Sequence, residues 1–97
     1  MNIEYHPALQ RELEEIRDYY EQRVPGLGLE FLNEFERQAL RIAASPGRWM
    51  VISGDIRRAM MSRFPYVIYF RQSRKDRVRV TAVKHRSRHP AFGRDRQ

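Results

Sequence analysis

The feature that most restricts the fold is a change of hydrophobic period near the middle of the chain. Before residue 46 apolar side chains recur at helical spacing. Leu9, Leu13, Ile16 and Tyr20 are separated by 4, 3 and 4 residues, and Leu32, Phe35, Ala39 and Ile42 by 3, 4 and 3. Each set covers one face of an α-helix. His6-Pro7 opens the first helix, because proline at the first helical position has its φ preset and gives up no needed donor. Val24-Pro25-Gly26-Leu27-Gly28 interrupts the pattern, and Ser45-Pro46-Gly47 ends the second helix. Two amphipathic helices with so short a connection lie antiparallel as a hairpin.

Beyond the hairpin the period shortens to that of strands. Residues 56–64, 66–71 and 77–85 read as three strands, with Tyr66-Val67-Ile68-Tyr69-Phe70 rich in β-branched and aromatic residues and Val78, Val80 and Ala82 alternating with Arg79 and Thr81. Ser73-Arg74-Lys75-Asp76 reads as a polar hairpin turn. Ile3 and Tyr5, alternating with polar residues, add a short strand at 2–5. The class is therefore α+β in the order β-α-α-β-β-β, an antiparallel meander with the helical hairpin on one face. A chain of 97 residues forms one domain, 1–97. Folding at this size buries roughly 60–70% of the unfolded chain's surface, so stability is modest. Phe64, Tyr66, Ile68 and Phe70 are expected to pack the core, Trp49 and Tyr69 to be partly buried, and Pro65 to mark a strand start, where its missing N–H costs little.

Charge is segregated along the same division. Residues 1–45 hold five arginines against nine acidic residues, a net of −4, whereas residues 46–97 hold fourteen Lys and Arg against Asp55, Asp76 and Asp95, a net of +11. Ordinary solubility needs no such separation of sign. It implies a positive face that attracts nucleic acid or an acidic protein segment.

Several chemistries drop out. Cysteine is absent, which removes disulfides and thiolate metal sites. His6, His85 and His89 show no metal-ligand spacing with carboxylates, so neither metal nor cofactor is expected. Gly26-x-Gly28 is too short for a phosphate loop. No segment approaches the ~20 apolar residues of a membrane span, and Met1 to Pro7 lacks the basic and apolar runs of a leader. A cytoplasmic location is the expectation.

What remains is a basic array: Arg57, Arg58 and Arg63, then Arg71, then Lys84, His85, Arg86, Arg88 and His89. Arginine forks match phosphate and carboxylate bidentately. Such an array could also cleave RNA, with a base for the 2′-OH proton, cations for the charge developing on phosphorus and an acid for the leaving oxygen. The plainer alternative is that alternate strand positions face water and carry Arg, and that His85 packs against its strand neighbours.

These residues carry a resemblance. Asp55-Ile56-Arg57-Arg58, Arg63-Phe64-Pro65-Tyr66-Val67-Ile68-Tyr69-Phe70 and Val80-Thr81-Ala82-Val83-Lys84-His85-Arg86-Ser87-Arg88-His89-Pro90 resemble segments of the RelE/ParE family, the toxins of type II toxin–antitoxin systems, also described as plasmid stabilisation proteins. Phe31-Leu32-x-x-Phe35 in the preceding hairpin is similar too. The resemblance implies the same α+β fold and a hetero-oligomer with an antitoxin whose acidic, apolar segment meets Arg57, Arg58, Arg71, Lys84, Arg86 or Arg88. It also implies one of two targets. RelE-like members are ribosome-dependent mRNA endonucleases that use basic strand residues and often a Tyr near the C-terminus; here His85, Arg63, Arg88 and His89 would serve. ParE-like members poison DNA gyrase without nuclease activity. The aromatic after His-x-x-Arg-x-Pro is Phe92, which has no hydroxyl to move a proton, and this favours the gyrase-type reading. A non-toxic nucleic-acid or protein adaptor on the same scaffold is the third alternative.

Overall fold

A computed structural model of the protein describes residues 2–97. Strand β1 (Asn2–Tyr5) leads into helix α1 (Ala8–Arg23) and helix α2 (Leu27–Ala44); a single 3-10 turn (Pro46–Arg48) then precedes β2 (Met50–Ser53), β3 (Ile56–Met60), β4 (Tyr66–Arg74) and β5 (Arg77–His85). The five strands form one sheet in the order β1-β5-β4-β3-β2. The α+β class and the helical hairpin on one face are as the periodicities require.

Two details differ from the expected order. Met50–Ser53 is a strand, so four strands follow the helices rather than three. In addition β1 pairs parallel with β5, Ile3 opposite Val78 and Tyr5 opposite Val80, so an otherwise antiparallel sheet is mixed. The helical hairpin carries the chain from β1 at one edge of the sheet to β2 at the other, and the meander from β2 to β5 returns to lie beside β1, so the connection is long enough for a parallel neighbour. Strand β3 also stops at Met60, short of residue 64, and β4 continues to Arg74.

The main core lies between the hairpin and the sheet. Leu9, Phe31, Phe35 and Ile42 from the helices meet Ala59, Met61, Phe64, Ile68, Phe70, Val78, Val80 and Val83. Phe31 stands nearly edge-on to Phe64 at 5.2 Å between ring centroids, and Tyr20 packs against Phe64 at 4.9 Å. Edge-to-face aromatic pairs of this kind add to the burial of their area. Gly28 is required where α2 leaves the loop, because a Cβ there would lie 2.5 Å from the Arg17 carbonyl oxygen.

The opposite face of the sheet has a small core of its own, Ile56, Tyr69 and Ala82 with Ile52 beside them. Residues 86–97 cover it. They form successive tight turns, with Arg88 N–H donating to His85, Phe92 N–H to His89 and Arg96 N–H to Gly93. Gly93 lies directly over Ala82 with φ +84°, and a Cβ there would come within 2.7 Å of the Ala82 Cβ. Only glycine satisfies both the left-handed backbone and the close approach.

Candidate functional site

The cations of the second half divide into those the fold consumes and those it leaves open. Lys84 belongs to the first group. It is buried, and its ammonium donates to the carbonyl oxygens of His89 (3.1 Å), Pro90 (3.0 Å) and Phe92 (3.2 Å) while lying 4.2 Å from the centre of the Tyr69 ring. Three acceptors and an aromatic face replace the water a buried ammonium loses. Tyr69 Oη donates to the Pro90 carbonyl as well, at 3.0 Å. Arg71 donates to the carbonyls of Arg94 (2.9 Å) and Arg96 (3.2 Å) and is ion-paired with Asp55. Lys84 and Arg71 thus hold residues 86–97 against the sheet.

Arg57 and Arg63 are also engaged. Arg57 donates to the Trp49 carbonyl at 2.7 Å, fixing the entry to β2. Arg63 pairs with Glu30 at 2.9 Å, an exposed contact. The turn that carries Arg63 is held by Glu34, a buried carboxylate on α2 that accepts from the backbone N–H groups of Ser62 (2.7 Å) and Arg63 (3.1 Å). Gln38, one helical turn further on, donates to the Met60 carbonyl at 3.1 Å.

Arg58, Arg86 and Arg88 stay exposed. Arg88 stacks on Phe92, its guanidinium carbon 4.0 Å from the ring centre, with Arg96 approaching the same ring at 5.1 Å. His85 packs its ring against Tyr66 at 5.3 Å and accepts at Nδ1 from the Ser87 N–H (3.1 Å), with Ser87 Oγ at 2.8 Å from the same nitrogen. His89 likewise accepts at Nδ1 from the Ala91 N–H, at 3.0 Å. In each ring Nδ1 is thus engaged by the turn that follows the histidine. His85, Arg88, Phe92 and Lys84 line a cleft of about 300 Å³ with Tyr66, Glu12 and Glu15; Arg63 and His89 are not among its walls. The four residues named for a nuclease are therefore not gathered in one cavity.

Three acids and one amide escaped the reading of the sequence. Glu34 and Gln38 were legible in principle, since they interrupt the apolar stripe Phe31, Phe35, Ala39, Ile42 at positions that must face the core. Glu12 and Asp55 carried no such signal: their partners, Arg96 and Arg71, are distant in sequence. Among the described residues no group of three or more His, Cys, Asp or Glu is placed to hold a metal ion, and no helix is long and apolar enough to cross a membrane.

The sequence model of the family described as "ParE toxin of type II toxin-antitoxin system, parDE" matches residues 3–90. The chain belongs to the ParE toxin family. The match runs from Ile3 in β1 to Pro90 and takes in all three segments that carried the RelE/ParE resemblance, which is borne out. Among solved structures the fold is similar to one described as the chromosomal ParDE toxin–antitoxin system from P. aeruginosa, with TM-score 0.76 and 15% identity, covering 88% of this chain and 95% of that one. A comparison with curated proteins finds no match. This ParE-family chain is the toxin component of a type II toxin–antitoxin system, and an antitoxin partner follows from that membership.

Proposed function

We propose that this toxin acts by binding, as an inhibitor of DNA gyrase in the cytoplasm, and that an antitoxin with an acidic, apolar segment neutralises it as a hetero-oligomer. The observation that carries the reading is the state of the candidate proton-transfer groups. His85 and His89 each spend Nδ1 on a backbone N–H two residues ahead, and the aromatic at position 92 is a phenylalanine clasped by Arg88 and Arg96. A nuclease needs a base and an acid in reach of one phosphodiester. A binding surface needs only exposed cations and rigid support, and Arg58, Arg86 and Arg88 on a strapped sheet supply both. No cofactor is required for this activity.

The competing reading is a ribosome-dependent mRNA endonuclease in which His85 is the acid and Arg88 steadies the phosphate. Purified toxin added to a gyrase supercoiling assay, and in parallel to ribosomes translating a defined message, separates the two. Inhibition of supercoiling without message cleavage supports the proposal. Cleavage without inhibition installs the nuclease, and inactivity in both assays leaves the adaptor.

A further inference from the structure

Lys84 is 5% exposed and takes part in no ion pair among the described residues. Replacing buried ionic groups by well-packed apolar ones is often neutral or stabilising, so stability alone is a weak reason for a lysine here. Its surroundings give a better one. The carbonyl oxygens of His89, Pro90 and Phe92 converge on the ammonium at 3.1, 3.0 and 3.2 Å. Carbonyl dipoles aimed at one point repel one another unless a positively charged donor sits there. An ammonium offers three donors to these three acceptors, whereas a guanidinium presents a planar fork. The lysine is what lets the chain close this turn.

The turn it closes is the one that carries an exposed cation. Arg88 immediately precedes His89, and its guanidinium stacks on the ring of Phe92 at 4.0 Å. The ammonium therefore fixes both the backbone that follows Arg88 and the residue whose ring supports it. From the other side Arg88 N–H donates to the His85 carbonyl at 3.0 Å, at the end of β5. The other anchors of this segment lie further along: Arg71 meets the carbonyls of Arg94 and Arg96, and Arg96 meets Glu12. Tyr69 Oη shares the Pro90 carbonyl, and among the described residues Lys84 is the one side chain that reaches the other two.

We propose that Lys84 is a positioning residue for toxicity. It touches no target. Its ammonium holds the turn of residues 89–92, and that turn holds Arg88 on Phe92 as an outward cation of fixed direction. A long exposed side chain loses rotamer freedom when a partner binds it, and one that is already ordered loses less. The inference rests on the binding-surface reading above and adds how a buried charge serves that surface.

The test is a double-mutant cycle of Lys84→Met and Arg88→Ala in the full chain. It is read by the inducer dose that arrests growth, by inhibition of purified gyrase, and by the side-chain resonances of Arg88, which the Phe92 ring current displaces. Circular dichroism confirms folding. Lys84→Met is expected to abolish that displacement and to weaken toxicity by the same factor as Arg88→Ala, at most about tenfold. The double variant should be no weaker than either single one, because both remove the same ordered cation. The wild-type chain has no cysteine, so Lys84→Cys can be unfolded, aminoethylated at its sulfur with 2-bromoethylamine and refolded, which restores a lysine-like amine. That treatment should recover the displacement and the inhibition, while untreated Lys84→Cys stays weak and takes the place of Lys84→Met if the latter does not fold. A displacement that survives in Lys84→Met, or losses that multiply in the double variant, overturns the inference. Lost displacement with unchanged toxicity also overturns it and leaves gyrase as the target. Growth arrest by the wild type without gyrase inhibition removes the gyrase reading instead, and the cycle read on growth arrest still decides the role of Lys84.

Discussion

Arg96 and Glu12, 84 residues apart, form a two-pronged ion pair, each guanidinium nitrogen 2.8 Å from its own carboxylate oxygen. The same guanidinium donates to the Thr81 carbonyl at 3.2 Å, on the part of β5 that β1 does not reach. Helix α1, the sheet and the C-terminal segment are joined at one side chain. Both partners are about four-fifths buried, at 19% and 21% exposure, so solvent screens the pair far less than an exposed one.

Arg96→Ala and Glu12→Gln are therefore expected to loosen residues 86–97 before they loosen the rest. Hydrogen bonds to charged groups are worth about 1.5–3 kcal/mol, and a loss of that size should appear in urea unfolding. Limited proteolysis should cut first between residues 86 and 97. Unfolding curves within about 0.5 kcal/mol of wild type would show that the pair is idle.

Glu34 supports a second expectation. Its carboxylate stands in for the backbone partners that the turn after β3 lacks, accepting from Ser62 and Arg63. Glu34→Ala leaves two N–H groups to water and a hole beside Phe31 and Phe35. We expect a loss of about 1–3 kcal/mol and weaker aromatic near-ultraviolet dichroism from the cluster around Phe64. Glu34→Gln, which keeps one acceptor oxygen, should recover part of the loss.

How much of this was legible in the sequence follows from the range of the forces. The helical stripes of α1 and α2 and the alternation of β5 depend on burial repeated every few residues, and period alone reveals them. Strand β2 has no such signature, because Met50, Val51 and Ser53 are all exposed and only pairing with β3 makes it a strand. The parallel place of β1 depends on the path of the hairpin rather than on residues 2–5. At the site, position along the chain suggested that Lys84 and Arg71 were free for a partner. Instead residues 89–96 return to them, and nothing local in the sequence marks a carbonyl that will cap a cation.

Alkaline pH tests the aromatic cluster. Burial raises the phenol pKa of Tyr66 above its ordinary 10.0, with the neighbouring Tyr20 adding to it. Burial likewise raises Tyr20, with Tyr19 contributing. Above about pH 10 the unfolded chain ionises these phenols while the folded chain keeps them protonated. The native state then holds more protons, so stability falls as pH rises. Urea unfolding between pH 8 and 11 should show that decline, and Tyr66→Phe should make it shallower. Equal slopes would show that Tyr66 titrates as it does in water.

The exposed cations and the histidines give opposite signatures for binding and catalysis. If gyrase is held by a surface, Arg58→Ala, Arg86→Ala and Arg88→Ala should each weaken inhibition by no more than about tenfold, because exposed rim charges contribute little one at a time. Their combined loss should be larger, and inhibition should fall as salt rises. His85→Ala should resemble these changes, since its Nδ1 serves only the turn at Ser87 and its ring leans on Tyr66. A general acid behaves otherwise: its removal typically costs 10²–10⁴-fold in rate while binding persists. His85→Asn decides between them, because the asparagine side-chain oxygen can accept from Ser87 N–H and preserve the turn without moving a proton. Near-wild-type toxicity in His85→Asn is the outcome expected of a binding surface. A loss of a hundredfold or more, with ribosome affinity unchanged, would identify His85 as a catalytic acid and replace gyrase with the message as the target.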